Sequence, residues 1–149
     1  MCKKVIMFLT GFCMYITLEV CFRGYSYVSM GVCGGLLFLL LDSINNRISW
    51  DLDILLQGII GASAITACEF LVGESCHLLG TSCMWDYSDM PLNLDGVICL
   101  QFSLLWIIIS IVGIVIADAI EYYVFDTLPV PYYKLFGKVI YKFKPKDKK

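Results

Sequence analysis

The chain has 149 residues, 59% of them hydrophobic and only 16% charged, with a mean hydropathy of +0.78. A soluble domain carries roughly 45–50% apolar and about 25% charged residues, so this composition excludes an ordinary water-soluble fold. The net charge is −2, and no recognisable nucleic-acid-binding fold surrounds the basic residues, so no nucleic-acid partner is expected.

Four apolar runs follow one another: Val5 to Phe22, Tyr25 to Leu41, Ile54 to Val72 and Val97 to Ile120. A helix needs about 20 apolar residues to cross a hydrocarbon core of ~30 Å. The first three just suffice, and the fourth has length to tilt. The expected fold is therefore all-α, a four-span transmembrane bundle over residues 1–133 with an outer loop at 73–96 and a basic tail at 134–149. The first run begins like a signal peptide, with Lys3 and Lys4 ahead of an apolar stretch, but Glu19, Arg23 and a second run follow it instead of a small-x-small cleavage site. It reads as a retained anchor.

Lysine and arginine set the orientation. Lys3 and Lys4 precede span one, Arg47 lies in the second loop and seven lysines follow span four, while Trp85 to Gly96 carries none. Both termini are expected in the cytoplasm, with the basic tail suited to anionic lipid there and its last few residues disordered.

The link around Arg23 and Gly24 is short enough to force spans one and two into an antiparallel hairpin. Small residues recur at spacings of three and four: Gly31, Gly34 and Gly35 in span two, Gly58, Ala62 and Thr66 in span three, and Ser110, Gly113 and Ala117 in span four. Such faces let neighbouring backbones approach closely. Glu69 continues the span-three face, so it is expected to point into the bundle. Glu19 and Arg23 are four apart and pair if the helix runs through the turn. Glu69, Arg23 and an acid from the third loop form either a solute or ion site or a structural salt bridge that staples spans one and three. Asp118 and Glu121 read as interfacial.

Eight cysteines are present, but Cys13, Cys33, Cys68 and Cys99 fall in spans, where a thiol acts as a small apolar group. Only Cys76 and Cys83 share the outer loop, and spacing alone does not establish a bridge. With His77 they lack the fourth ligand and tight spacing of a zinc site, so no metal or other cofactor is expected. No phosphate loop, H-E-x-x-H or G-x-S-x-G occurs. An enzyme is not expected.

The third loop mixes acids with Trp85, Tyr87, Met90, Leu92 and Leu94, and is neither a polar linker nor a span. Asp86, Ser88 and Asn93 suit local backbone hydrogen bonds, Pro91 a turn, and Gly96 a sharp entry into span four. The segment is expected to cap the outer mouth, with Asp86 and Arg23 meeting above Glu69.

The string WDYSDMPLNLDGVICLQFSLLW at residues 85–106 resembles the signature of the ABC-transporter type IV (CmpB-like) family of small bacterial membrane proteins. FRGYS at 22–26 and Glu69 ahead of the long string are similar to that family as well, so the resemblance covers roughly residues 19–120. It places Arg23, Gly24, Tyr25, Ser26, Glu69, Trp85, Asp86, Tyr87, Ser88, Pro91, Asn93, Gly96 and Trp106 on the family pattern. It implies a four-helix protein of the bacterial cell membrane with a transport label. On that reading the chain is a transporter membrane subunit for an unknown small solute, driven by a separate ATP-binding subunit or an ion gradient. Because four helices make a thin bundle, a homo-oligomer or partner is expected. A non-transporting scaffold that uses its glycine faces, and a holin-like pore former, are the alternatives.

Overall fold

The computed structural model describes residues 2–146; the expected terminal disorder falls on 147–149, outside that range. Four helices run antiparallel: α1 (Cys2–Arg23), α2 (Val28–Arg47), α3 (Ile54–Leu79) and α4 (Leu100–Tyr123). Two small antiparallel hairpins complete the fold. β1 (Asn93–Leu94) pairs with β2 (Ile98–Cys99) just before α4, and β3 (Tyr132–Leu135) pairs with β4 (Lys138–Lys142) after it. The helices α1, α3 and α4 are each long and apolar enough to cross a membrane, and α2 contributes a shorter apolar stretch, Val28–Ile44. This is a helical membrane bundle.

The principal pairings are α1 with α2 and α3 with α4. Glycine sets both. A Cβ on Gly34 would clash with Tyr15 of α1, one on Gly35 with Phe8, and one on Gly31 with Phe12. In the second pair Gly58 faces Ile111, and Gly61 faces Ser110 and Leu41. Leu41 also fills the space at Gly113, which locks α2 against both α3 and α4. Lipid solvates leucine as well as protein does, so close backbone packing of this kind supplies much of the association energy inside a bilayer.

Helix α3 runs through Gly73 to Leu79, past the expected end at Val72. Gly73 does not terminate it because Val97 of the loop fills the space a side chain would take. The helix stops at Gly80, whose φ of 63° lets its N–H reach back to the carbonyls of Cys76 and His77. The loop between α3 and α4 is correspondingly shorter than the sequence suggests. At its other end α3 is capped by Asp53, which accepts from Leu55 N–H at 3.0 Å.

The expected basic tail is in part a folded hairpin. Phe136 and Gly137 both have positive φ, the signature of a two-residue type I′ turn. Tyr133 is buried among Leu41, Ile54, Ile114 and Phe143, and Trp50 packs against the rings of Tyr132 and Tyr133. The second oxygen of Asp53 accepts from the N–H of Phe136. One carboxylate thus caps α3 and holds the hairpin turn.

Candidate functional site

The loop between α3 and α4 is knotted by its own polar side chains. Asp86 Oδ1 accepts from the Ser88 N–H at 2.8 Å and the Ser88 hydroxyl at 2.6 Å, and these bonds hold the Asp86 carboxyl below the usual carboxylate range. The Tyr87 N–H donates to the Gly96 carbonyl at 2.7 Å, and the Met90 N–H to the Tyr87 carbonyl at 2.8 Å, closing a turn ahead of Pro91. The Asn93 amide donates to the carbonyls of Met90 and Ser88 and accepts from the Gly96 N–H. Gly96 has a φ of 65°, and a Cβ there would strike the Ser88 hydroxyl and approach Asp86 Oδ1 to 3.1 Å. Glycine is needed at 96 for conformation and for space alike.

The knot aims its aromatic side chains at the bundle. Trp85 Nε1 donates to the Val97 carbonyl at 2.8 Å, and the Tyr87 ring stacks on Phe102 of α4 with centroids 4.8 Å apart. The Tyr87 hydroxyl donates to Glu69 Oε1 at 3.4 Å, and Trp106 Nε1 to Glu69 Oε2 at 2.8 Å. Burial and the neighbouring Glu69 carboxylate push the Tyr87 phenol well above its ordinary range.

Glu69 is only 9% exposed and faces the bundle, as the spacing with Gly58, Ala62 and Gly73 requires. The Tyr87 and Trp106 donors are both neutral, and no lysine, arginine or histidine pairs with it among the described residues. Beside it lies a cavity of about 160 Å³, lined by Tyr15, Cys33, Cys68, Trp85 and Trp106 among mostly aliphatic neighbours. Tyr15 and Trp106 stack in its wall with centroids 6.2 Å apart.

Arg23 keeps its expected partner on α1 but not the expected one in the loop. It pairs with Glu19 one turn back and donates from Nη1 to the Met84 carbonyl at 3.1 Å, and its guanidinium lies 4.8 Å from the centre of the Tyr25 ring. No hydrogen bond or ion pair joins it to Asp86 among the described residues. Asp86 is spent inside the knot because Ser88 sits two residues on, at Asx-turn spacing. The structure therefore separates the expected polar site into a Glu19–Arg23 pair that anchors the loop and a Glu69 cavity beneath it. Cys76 and Cys83 are neighbours in this region and both are free thiols; His77 leans toward Glu74 at 3.7 Å.

A second polar cluster lies at the opposite end of the bundle. Glu121 is 1% exposed, enclosed by the chain itself at the end of α4. It pairs with Lys3 of α1, accepts from Asn46 at 3.1 Å and from the Thr127 hydroxyl at 2.7 Å, and has Asp42 beside it. Asp118, also buried, accepts from the Tyr133 hydroxyl at 2.7 Å. The signal was present in the sequence: Trp106, Ser110, Gly113 and Ala117 share a face of α4, and one further step reaches Glu121.

Four antiparallel apolar helices, a knotted loop over one end and an apolar cavity with one buried acid beneath it define a small polytopic membrane protein. The chain belongs to the family described as "Putative ABC-transporter type IV", whose model matches residues 5–143. That match extends through the β3–β4 hairpin as well as the helices. No curated protein and no solved structure matches the chain.

Proposed function

We propose that the chain is the membrane-spanning subunit of a transport system in the bacterial cell membrane, with both termini in the cytoplasm and its solute site in the Glu69 cavity. The observation that carries this reading is a buried carboxylate with neutral hydrogen-bond donors and no basic partner among the described residues, set beside a cavity and covered by a folded loop. A carboxylate serving only to staple helices would be expected to face a cation, as Glu121 of α4 faces Lys3 of α1. An uncompensated buried charge costs several kcal/mol, and a solute or a proton that completes the site offsets that cost. Energy would come from a separate ATP-binding protein docking at the cytoplasmic end. A second copy of the chain, or another partner, would complete a solute path that four helices are too few to enclose. No residue is assigned a catalytic role.

The scaffold alternative rested on free glycine faces. Gly31, Gly34, Gly35, Gly58, Gly61 and Gly113 are all occupied within the chain, which weakens the support for that version. The test is purification of the tagged chain from its native cells in mild detergent, with mass and partner identification. A stoichiometric ATP-binding protein is the expected result. A homo-oligomer alone overturns the ATP-driven reading and moves the work to ion flux, and dye leakage from liposomes at that point would establish the pore.

A further inference from the structure

We infer that the Glu69 cavity binds a small alkylammonium cation, a substrate class that rests on the reading of this cavity as the solute site. Three features select it. The carboxylate has donors on both oxygens, from Trp106 and Tyr87, and no counter-charge among the described residues, so a positive ligand is favoured and an anion is repelled. The walls next to it are aromatic on several sides, Tyr15, Trp85 and Trp106, and otherwise consist of aliphatic side chains, Met30 and two thiols. A hard metal ion needs several oxygen ligands, which this lining does not offer. A cation dispersed over methyl groups asks only for one carboxylate and the faces of aromatic rings.

Size narrows the class. At about 160 Å³ the cavity lies below the ~300–1,000 Å³ of drug-sized pockets. A compact trimethylammonium head group matches that better than a bulky lipophilic cation. Leu36 lines the cavity and is 57% exposed, so the entrance lies beside α2, at its bilayer-facing side. A ligand with apolar methyl groups tolerates that route, and a fully hydrated ion does not.

The experiment uses the full chain in lipid nanodiscs, titrated with choline and with its uncharged isostere 3,3-dimethylbutan-1-ol while tryptophan fluorescence is followed. Saturable quenching by choline is expected, with the isostere weaker by about tenfold or more. Glu69→Gln is expected to remove about the same factor, and Trp85→Leu to weaken choline while leaving the carboxylate in place. Equal affinity for the two probes, or no saturable response to choline, overturns the inference. If Glu69→Gln does not fold, the comparison of the two probes on the unmodified chain still decides. The outcome also separates this inference from the transport reading. An ATP-binding partner with no choline site removes the cation and leaves transport; a choline site with no partner and no flux does the reverse.

Discussion

Alanine at position 73 probes how firmly the knotted loop is seated on α3. In a helix interior, Gly→Ala ordinarily stabilises by about 1 kcal/mol, through backbone entropy in the unfolded chain. Here the new methyl would lie within 3.0 Å of three carbons of Val97, with Cγ1 the nearest. Val97 cannot swing clear. It is 2% exposed, its N–H is bonded to the Leu94 carbonyl at 3.0 Å, and its own carbonyl receives the Trp85 indole at 2.8 Å. Its β-branched side chain presents a methyl group in most rotamers. Overpacking of this kind costs roughly 1–3 kcal/mol, so after the helix-propensity gain Gly73→Ala is expected to destabilise by about 1 kcal/mol. Val97→Ala alone costs about 1–2 kcal/mol from lost packing. The double variant should be more stable than the sum of the two by about 2 kcal/mol, because the new methyl occupies the space that the valine vacates. The assay is unfolding in detergent followed by tryptophan emission. Stabilisation by Gly73→Ala, with the double variant additive to within about 0.5 kcal/mol, would refute the seating of Val97 on Gly73.

Lys3→Met takes the cation away from buried Glu121 and leaves it with the neutral donors Asn46 and Thr127 and with Asp42 beside it; a loss of about 2 kcal/mol is expected, recovered in part by adding Glu121→Gln, and a thermal melt of the three variants checks it. Trp106→Phe keeps the ring that stacks on Tyr15 but removes the N–H held by Glu69, so it should cost about 1–3 kcal/mol of stability and weaken choline in the nanodisc titration. The docking of the β3–β4 hairpin should be flat across neutral pH. The Lys134 ammonium and the Tyr132 hydroxyl hold the Asp51 carboxyl below its usual 3.8, so that contribution is present above this value and fades only as the pH falls beneath it. Asp51 in turn holds Lys134 above its usual 10.5, so the contribution of the lysine is complete below that value and is lost as the pH rises further. Trp50 emission across pH reports both edges, and a transition near neutrality would refute the pairing.

Much of the bundle could be read from the sequence because two of its rules are local. Apolar runs of span length marked all four helices, and the three-and-four spacing of Gly58, Ala62 and Glu69 put the acid on the inner face where the structure has it. The knot was legible for the same reason. Asp86 with Ser88, and Asn93 with Gly96, make hydrogen bonds within three residues, so their partners can be named without knowing the fold. The hairpin was missed. Tyr132 to Leu135 and Lys138 to Lys142 carry apolar residues between their lysines, but what makes the segment fold is distant in sequence: Asp53, Trp50 and Asp118.

The misplaced contacts share one physical cause. Arg23, Asp86 and Glu69 were expected to meet because their positions along the chain put all three at one membrane face, and depth in the bilayer is what a hydropathy pattern conveys. Lateral position around the bundle is set by which helix packs on which, and that depends on Gly34 meeting Tyr15 and Gly61 meeting Ser110. With α1 paired to α2, the C-terminal turn of α1 presents Arg23 to the Met84 carbonyl at the start of the knot, and Glu69 looks across to α4. The consequence for function is direct. Arg23 is kept away from Glu69 by its commitments to Glu19 and Met84, and among the described residues the cavity keeps a carboxylate that no basic side chain of the chain neutralises. The same separation gives the Glu19–Arg23 pair its own role: through the Met84 carbonyl it holds the start of the loop that carries Trp85 and Tyr87, and Tyr87 in turn donates to the acid beneath.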